Sequence, residues 1–349
     1  MMICLVSDLH FGVRKNSEIF LESQVRFVEE QFIPYLKEHN IKEVFILGDL
    51  FDNRNSTNTK VMNTVFDLFD KKLTDFNVHM LIGNHDCYFN SSVEINSLKF
   101  LEKFSNVNLV EKITVVEVGR KKIVMVPWVT DTLSFVRDFS QIESCDLCFG
   151  HFNIYGFNFN KVKRSDDGIQ GKLFAKFKKV FTGHFHIRNS QNVQGSDIIY
   201  IGSPFQLTRN DIDENRGFVI LDTDTLEYQH IDNNVSLKYI KIKYPEKFTS
   251  SRIKNNIIDV YVDYDENYNE EKVNKYVKKI EEFGPASTPN IFVENNNALN
   301  SDIDLENYKF GSMLDLMREY VDSLDVGNKE EINQLLIELY NESTKGESI

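Results

Sequence analysis

The sequence predicts an α/β protein whose main body is a four-layer αββα sandwich, followed by a small α+β cap module and C-terminal helices. Three observations predict it. Apolar runs alternate with helix-spaced segments over roughly the first quarter of the chain, and each run stops at residues able to carry chemistry. From Val107 onward the pattern changes to short strands separated mostly by turns, enough for a second sheet. Two sheets packed face to face with helices outside would bury the long apolar runs of both.

In chain order, residues 3–6 are the first strand, ending at Ser7 and Asp8. Phe20, Val25, Phe27, Val28, Phe32 and Leu36 then recur at near-helical spacing, and residues 43–47 return as a strand that stops at Gly48-Asp49. Residues 59–73 have helical spacing again, and a strand over 78–82 runs into Gly83-Asn84-His85. This is the pattern of an α/β sheet with its site at the strand C-termini. Short strands follow at 107–110, 113–118, 122–126, 147–149, 180–182, 198–201, 218–221 and 228–231, and the turns between them predict a second, more antiparallel sheet. Residues 1–235 form one domain on this basis.

A strand over 257–262, a helix over 270–283 carrying Val273, Tyr276, Val277 and Ile280, and a strand over 291–293 predict a β-α-β module within 236–298. Gly284-Pro285 breaks its helix and Asn295-Asn296-Asn297 marks a linker. Residues 299–349 are helical in pattern. Met313, Leu316, Met317, Tyr320, Val321 and Leu324 form one apolar stripe; Ile332, Leu335, Leu336 and Leu339 form another, behind a cap at Asn328 with Glu331 three residues on. Two short amphipathic helices bury little against each other, so either a partner or their own domain covers them.

Composition excludes several classes. With 41% hydrophobic and 27% charged residues the chain is an ordinary globular protein. The N-terminal apolar run meets Ser7, Asp8 and His10 too soon for a signal peptide, and no stretch approaches the roughly 20 apolar residues of a membrane span. A cytoplasmic location without membrane contact is expected, and four cysteines in no spaced framework agree with a reducing compartment. Cys145 and Cys148 lie in an apolar run and read as buried strand residues, with no second pair to complete a Cys4 zinc site. A net charge of -13 would disfavour a polyanion if it were evenly spread. It is not, because Lys161, Lys163, Arg164, Lys172, Lys176, Lys178, Lys179 and Arg188 face only Asp166 and Asp167 across one stretch. A DNA contact and a solvated lysine-rich face both fit that stretch.

The chemistry lies in five motifs: Asp8-Leu9-His10, Gly48-Asp49-Leu50-Phe51-Asp52, Gly83-Asn84-His85-Asp86, Gly150-His151 and Gly183-His184-Phe185-His186. Asp8 and His10 alternate by two, so on an extended strand end both point to one side. Such a pair can hold one cation through oxygen and nitrogen, which suits Mn, Fe or Zn rather than Ca. Asp49 follows a flexible glycine, and its two oxygens can bridge two metals. Asn84 offers a neutral oxygen and so limits negative charge, which suits an anionic phosphate substrate. His151, His184 and His186 supply further nitrogens. Any one motif is as readily structural; the five in this order, at strand ends, predict a two-metal hydrolase.

The set D-x-H, G-D, G-N-H, G-H and G-H-x-H resembles the calcineurin-like metallophosphoesterase superfamily. The resemblance implies that Asp8, His10, Asp49 and His186 hold one divalent ion and that Asp49, Asn84, His151 and His184 hold the other. Mn²⁺ is the ion it implies first, with Mg²⁺ and Fe²⁺ also compatible. It makes His85 the catalytic residue that protonates the leaving oxygen or stabilises charge on phosphorus, oriented by Asp86 or Asp52. Gly48-Asp49-Leu50-Phe51-Asp52-Asn53-Arg54 departs from the G-D-x-V-D-R-G of serine/threonine protein phosphatases, as Gly83-Asn84-His85-Asp86 departs from their G-N-H-E. Both are instead similar to the SbcD and Mre-type DNA nucleases.

Tyr200-Ile201-Gly202-Ser203-Pro204-Phe205-Gln206-Leu207 and Arg216-Gly217-Phe218-Val219-Ile220-Leu221-Asp222 look like the Gly-Ser-Pro segment and closing strand of those nucleases. Glu94-Ile95-Asn96-Ser97-Leu98 looks most like the exonuclease subunits of tailed bacteriophages. What this implies is a Mn-dependent nuclease subunit, a 3′-to-5′ duplex exonuclease and single-strand endonuclease. It would act as a homodimer within an SMC-like, SbcC-type ATPase complex for DNA recombination, repair and replication. The cap would bind DNA, and the terminal helices would dock on the coiled-coil base of the ATPase. Two other readings stay open: a small-molecule or cyclic-nucleotide phosphodiesterase, and a DNA-tethering scaffold with little turnover.

Overall fold

Strand β1 (Met2–Val6) shows why the body is layered. Successive side chains of a strand point to opposite faces, and here Ile3 and Leu5 enter one core while Cys4 and Val6 enter another, all four buried. The structure is a computed structural model. It describes residues 1–294 except 90, 144, 160, 162 and 265–267, and beyond them 321, 328–330 and 332–337.

β2 (Glu43–Ile46) and β3 (Asn77–Leu81) extend β1 in parallel, with Cys4 opposite Val44 and Val44 opposite Val78. A small antiparallel hairpin, β4 (Cys87–Phe89) and β5 (Ser92–Asn96), precedes β6 (Val107–Val110), which pairs parallel to β3. The second sheet contains β7 (Thr114–Val118), β8 (Lys121–Val126), β9 (Leu147–His151), β10 (Lys179–Gly183), β11 (Asn189–Val193) and β12 (Ser196–Tyr200), in the order β11-β12-β10-β9-β8-β7. β13 (Gly217–Asp222) and β14 (Tyr228–Asp232) return to the first sheet, which reads β14-β13-β1-β2-β3-β6.

Three cores separate the four layers. Phe45, Leu81, Phe149, Phe181, Ile199 and Val219 fill the space between the sheets. Cys4, Val6, Val44 and Met80 face the helical segments Glu18–Phe27, Val28–Phe32, Ile33–Glu38 and Thr59–Asp67 through Phe20, Phe27, Phe32 and Val65. On the far side Val124, Cys148, Val180 and Tyr200 pack against Phe135 and Phe139 of the helix Thr132–Ser140.

The expectation of a second, more antiparallel sheet is corrected. β8, β9, β10 and β12 are parallel neighbours, and only the edge pairs β7/β8 and β11/β12 are antiparallel. The connection between β9 and β10 holds turns and the short helical turn Gly171–Phe174 in place of a long helix, so the usual marker of a parallel crossover is missing. Nor do all the late strands enter that sheet. β6 joins β3, and β13 pairs antiparallel with β1, which covers an edge that would otherwise be open.

A third sheet, β15 (Tyr239–Lys243), β16 (Ile257–Asp263) and β17 (Asn290–Glu294), carries the helix Glu270–Glu281 on one face, where Val273, Val277 and Ile280 pack on Ile242, Ile258, Val260 and Val262. Asp259 on β16 is fully buried and held by Arg209 at 2.7 Å and by the Asn290 amide at 2.7 Å. Apart from the strand-end residues Asp263 and Glu294, all of this lies in one compact unit, Met1–Val262 with Tyr268–Val293; the second unit is Asp263–Asn267 with Glu294–Ile349. The first terminal stripe, over 313–324, lies outside the described residues except for Val321, as do the linker at 295–297, Glu331 and Leu339. Ile332, Leu335 and Leu336 lie on helical backbone. Among the described residues no helix is long and apolar enough to cross a membrane. All four cysteines are free; Cys148 is buried on β9 and Cys145 is half-buried just before it.

Candidate metal centre

The motifs meet at the C-terminal ends of β1, β2, β3, β9 and β10. Asp8 and His10 do not continue the strand as an extended segment would: β1 ends at Val6, and their φ angles are 55° and 46°. They converge because the loop after β1 is bonded to the loop after β2. Asp8 N–H donates to Gly48 O at 3.1 Å, His10 N–H to Asp49 O at 3.0 Å and Phe11 N–H to Leu50 O at 2.8 Å. Asp49 (φ 55°) and His184 (φ 90°) are also left-handed, each such residue storing roughly 1–3 kcal/mol of strain. Gly48 combines φ 95° with a close approach, since a Cβ there would sit 2.5 Å from His151 Nδ1. A Cβ on Gly83 would lie 2.2 Å from Asp49 Oδ1.

Three groups of ligand-type atoms result among the described residues: Asp8 with His10 and His186, Asp49 with His151 and His184, and His10 with Asp52 and His85; the first two bring together the ligands expected from the sequence. His10 Nε2 and His186 Nε2 face each other at 3.0 Å, and His186 Nε2 is 4.0 Å from Asp8 Oδ1. In the second group Asn84 Oδ1 lies 3.0 Å from His151 Nε2 and 2.8 Å from His184 Nδ1. Asp49 Oδ2 stands between these two groups, 3.6 Å from His10 Nε2 and 3.3 Å from His151 Nε2. Every residue singled out from the sequence (Asp8, His10, Asp49, Asn84, His151, His184 and His186) is therefore in one place, with His85 beside it, its ring 4.8 Å from that of His10.

The supporting residues settle a question of orientation that the sequence left open. The Asp86 carboxylate accepts the backbone N–H groups of Asp49, Leu50, Phe51 and Gly83. Asp52 serves two histidines: its backbone carbonyl accepts from His85 Nδ1 at 2.6 Å, and its carboxylate lies 3.3 Å from His10 Nδ1. His151 Nδ1 donates to Leu47 O at 2.7 Å, which turns its Nε2 toward Asp49 and Asn84. Ser203 of the Gly-Ser-Pro segment donates its hydroxyl to Asp8 O at 2.9 Å. Trp128 was not singled out from the sequence. Its ring lies 5.0 Å from that of His184 and 5.9 Å from that of His151.

Charge is distributed unevenly across the centre. Burial raises the Asp8 carboxyl, with the Asp49 charge adding to it. Burial acts on Asp49 in the same direction, but His151 and His10 overcome it and hold the group far below the usual carboxylate range. Burial and then Asp49 lift Asp86 to about 7, against the four N–H groups that favour its ionised form. Burial lowers His151, yet Asp49 more than compensates and carries it to about 9. His184 falls to about 3 through burial and the nearby His151, and His186 is pushed well down by burial and His10. These last two imidazoles stay neutral with their lone pairs available. Two imidazole nitrogens 3.0 Å apart, His10 Nε2 and His186 Nε2, together with the Asp49 oxygen that lies between His10 and His151, form a donor set that fits divalent cations of the Mn, Fe or Zn type.

Residues 1–213 match the sequence family described as calcineurin-like phosphoesterase. The chain belongs to that family. Calcineurin-like phosphoesterases use divalent metal ions to hydrolyse phosphoesters, and the clusters around Asp8, His10 and Asp49 are side-chain groups that could hold such ions. Exonuclease subunit 1 of Enterobacteria phage T4 is 29% identical over 99% of this chain and 100% of its own length. A putative phosphoesterase, 078R, of Invertebrate iridescent virus 3 is 26% identical over 69% of this chain and 68% of its own. The SbcD component of the SbcCD nuclease of Staphylococcus epidermidis is 21% identical over 64% of this chain and 66% of its own.

Proposed function

We propose that this calcineurin-like phosphoesterase is a Mn²⁺-dependent DNA nuclease subunit, acting as a 3′-to-5′ exonuclease on duplex ends and an endonuclease on single strands. The observation that carries this reading is the end-to-end likeness to the phage exonuclease subunit, which extends through the third sheet and the C-terminal region. A small-molecule phosphodiesterase would leave those parts without a role. The proposed domains are a nuclease body at 1–235, a DNA-binding cap at 236–298 and a docking segment at 299–349. The partner is an SMC-like ATPase, with a nuclease homodimer inside the complex.

Asp8, His10, Asp49 and His186 would hold one ion, and Asp49, Asn84, His151 and His184 the other. Bound there, a pair of divalent ions supplies Lewis-acid stabilisation of charge on the attacking and leaving oxygens of a phosphodiester. The chain's own residues do the rest. Asn84 contributes an oxygen without charge, so an anionic substrate is repelled less than by a fourth carboxylate. The Asp52 carbonyl accepts a hydrogen bond from His85 Nδ1–H and fixes the ring, so that Nε2, when the ring carries its second proton, would deliver that proton to the leaving oxygen and leave the neutral imidazole. Half-buried His85, His184 and His186 mark the side from which substrate arrives, while Asp8, Asp49 and His151 lie beneath.

Digestion of end-labelled duplex and circular single-stranded DNA with Mn²⁺, beside His85→Ala, tests the proposal. The expected result is digestion by the wild type, a fall in kcat of about 10² to 10⁴ in the variant, and two metal ions per chain in both. Failure to cut either DNA while bis-p-nitrophenyl phosphate is still hydrolysed would replace the nuclease with a small-molecule phosphodiesterase. Equal digestion by His85→Ala would remove His85 from the chemistry.

A further inference from the structure

Of the basic residues between 161 and 188, the fold itself uses most. Lys161 donates to Ile212 O at 2.6 Å and pairs with Glu214 at 3.3 Å, and Lys176 donates to the carbonyls of Phe139 and Ile142. Lys178 pairs with Asp146 at 2.8 Å, Lys179 with Asp197 at 3.1 Å and Arg188 with Asp232 at 2.7 Å. Lys163 and Arg164 make contacts of their own as well, and are set apart by where they lie. With Phe159 they line a cleft of about 240 Å³ that also includes His184 of the metal centre.

The cleft is built on an anchored hairpin. Phe159 N–H donates to Lys163 O at 2.9 Å and Ser165 N–H to Phe157 O at 2.8 Å, while Phe157 is buried and the Ser165 hydroxyl donates to Asn153 Oδ1 at 2.8 Å. Arg164 Nε donates to Asn158 Oδ1 at 3.2 Å, which fixes the guanidinium on the hairpin. Phe159 is 52% exposed, yet its ring is only 5.6 Å from Phe185, which is in turn 5.0 Å from His184. Two acids share the cleft. Asp167 is held by the Asn153 amide at 2.8 Å, and Asp166 is exposed.

We infer that the Phe159, Lys163 and Arg164 cleft is a subsite for the nucleotide next to the scissile phosphodiester, and that it selects an unpaired strand. An exposed aromatic face beside two cations offers a base something to stack on and its phosphate something to pair with. A base inside a duplex has both faces covered already and cannot reach such a ring. The cleft volume suits one nucleotide rather than a double helix. The inference deepens the nuclease proposal and rests on it for the position of the scissile bond, but not for binding.

Anisotropy of a fluorescein-labelled 12-nucleotide single strand, titrated with the full chain in EDTA so that nothing is cut, reads the subsite directly. Phe159→Ala and Arg164→Ala should each weaken binding by about 10-fold. Arg164→Ala should also lower the slope of log Kd against log salt by about 0.7. Lys178→Ala, an equal loss of charge from the same stretch, should bind as the wild type does. Unchanged binding in both cleft variants, an equal loss in Lys178→Ala, or no measurable affinity in the wild type would each overturn the inference. A wild type that binds in the expected pattern but cuts no DNA with Mn²⁺ would keep the subsite and end the nuclease reading.

Discussion

Asp86 offers no atom to either group of ligands, yet its removal should disturb both. The fully buried carboxylate accepts from the backbone N–H groups of Asp49 and Gly83 at 2.9 Å, Leu50 at 3.0 Å and Phe51 at 3.3 Å. Asp86→Ala leaves four buried donors without an acceptor. At about 1–1.5 kcal/mol for each bond the loss is on the order of 4–6 kcal/mol, less whatever is regained by no longer burying a carboxylate. For a chain of this size that is a fall in Tm of roughly 5–8 °C, read by scanning calorimetry. Asp86→Asn is the sharper control, because it has the same shape and one accepting oxygen but aims an amide N–H at two of the donors. It should recover little. Metal content should fall with stability, since Asp49 and the glycine that touches it are two of the four donors. A variant that melts within about 2 °C of the wild type and still binds two ions would show that the four bonds are not what sets the strand ends.

Two further outcomes test the electrostatics and the location of the ions. Trp128 is the chain's one tryptophan, 5.0 Å from the His184 ring, so Mn²⁺ titrated into chelator-treated protein should quench its fluorescence saturably. An unchanged emission, with binding seen calorimetrically, would place the ions elsewhere. In metal-free protein the His184 contribution to stability should also fall on acidification. His184 titrates at about 3 when folded, with burial as the first cause, against about 6.5 in an unfolded chain. Between those values the unfolded state binds a proton that the folded state refuses, so stability falls as pH falls from about 6.5 toward 3. Asp86, lifted to about 7, contributes with the opposite sign over the same window, so the test is a difference: replacing His184 by Asn should shift the slope of Tm against pH between 5 and 7 in EDTA toward greater stability at the acid end, and equal slopes for both proteins would count against the assignment.

The sequence made the body and the centre legible for the same reason: each buried strand stops where a motif begins, and both signals are local. Sheet membership was less accessible. Nothing in the spacing of 152–178 shows that β9 and β10 are parallel, because turns and a hairpin replace the helix that normally marks a crossover. The alternation of Asp8 and His10 led to the right convergence through the wrong conformation, since left-handed φ at Asp-Leu-His has no glycine to announce it. Asp52 was considered only as a partner of His85, and its contact with His10 depends on how two loops meet. Trp128 was available to the rule that found the motifs. It follows β8 by two residues, at the same end of the sheet as His151, and a search of every strand end rather than of metal-binding residue types would have reached it.

Four residues of the centre hold backbone angles that side chains beyond glycine rarely adopt, and such angles persist only where the surroundings over-determine them. The bonds that do so run between the strained residues themselves. Asp8 and His10 are tied to the backbone of Gly48 and Asp49, and His184 N–H is tied to the Asp8 carboxylate at 3.0 Å. Asp49 Oδ1 accepts from His85 N–H at 2.8 Å, which joins the loop after β3 to the same set. A shift of one strand end therefore strains the others, and the ligand atoms keep their spacing together or lose it together. That coupling makes Asp86, which bonds only backbone at the base of these loops, able to set the distance between oxygens and nitrogens it never touches.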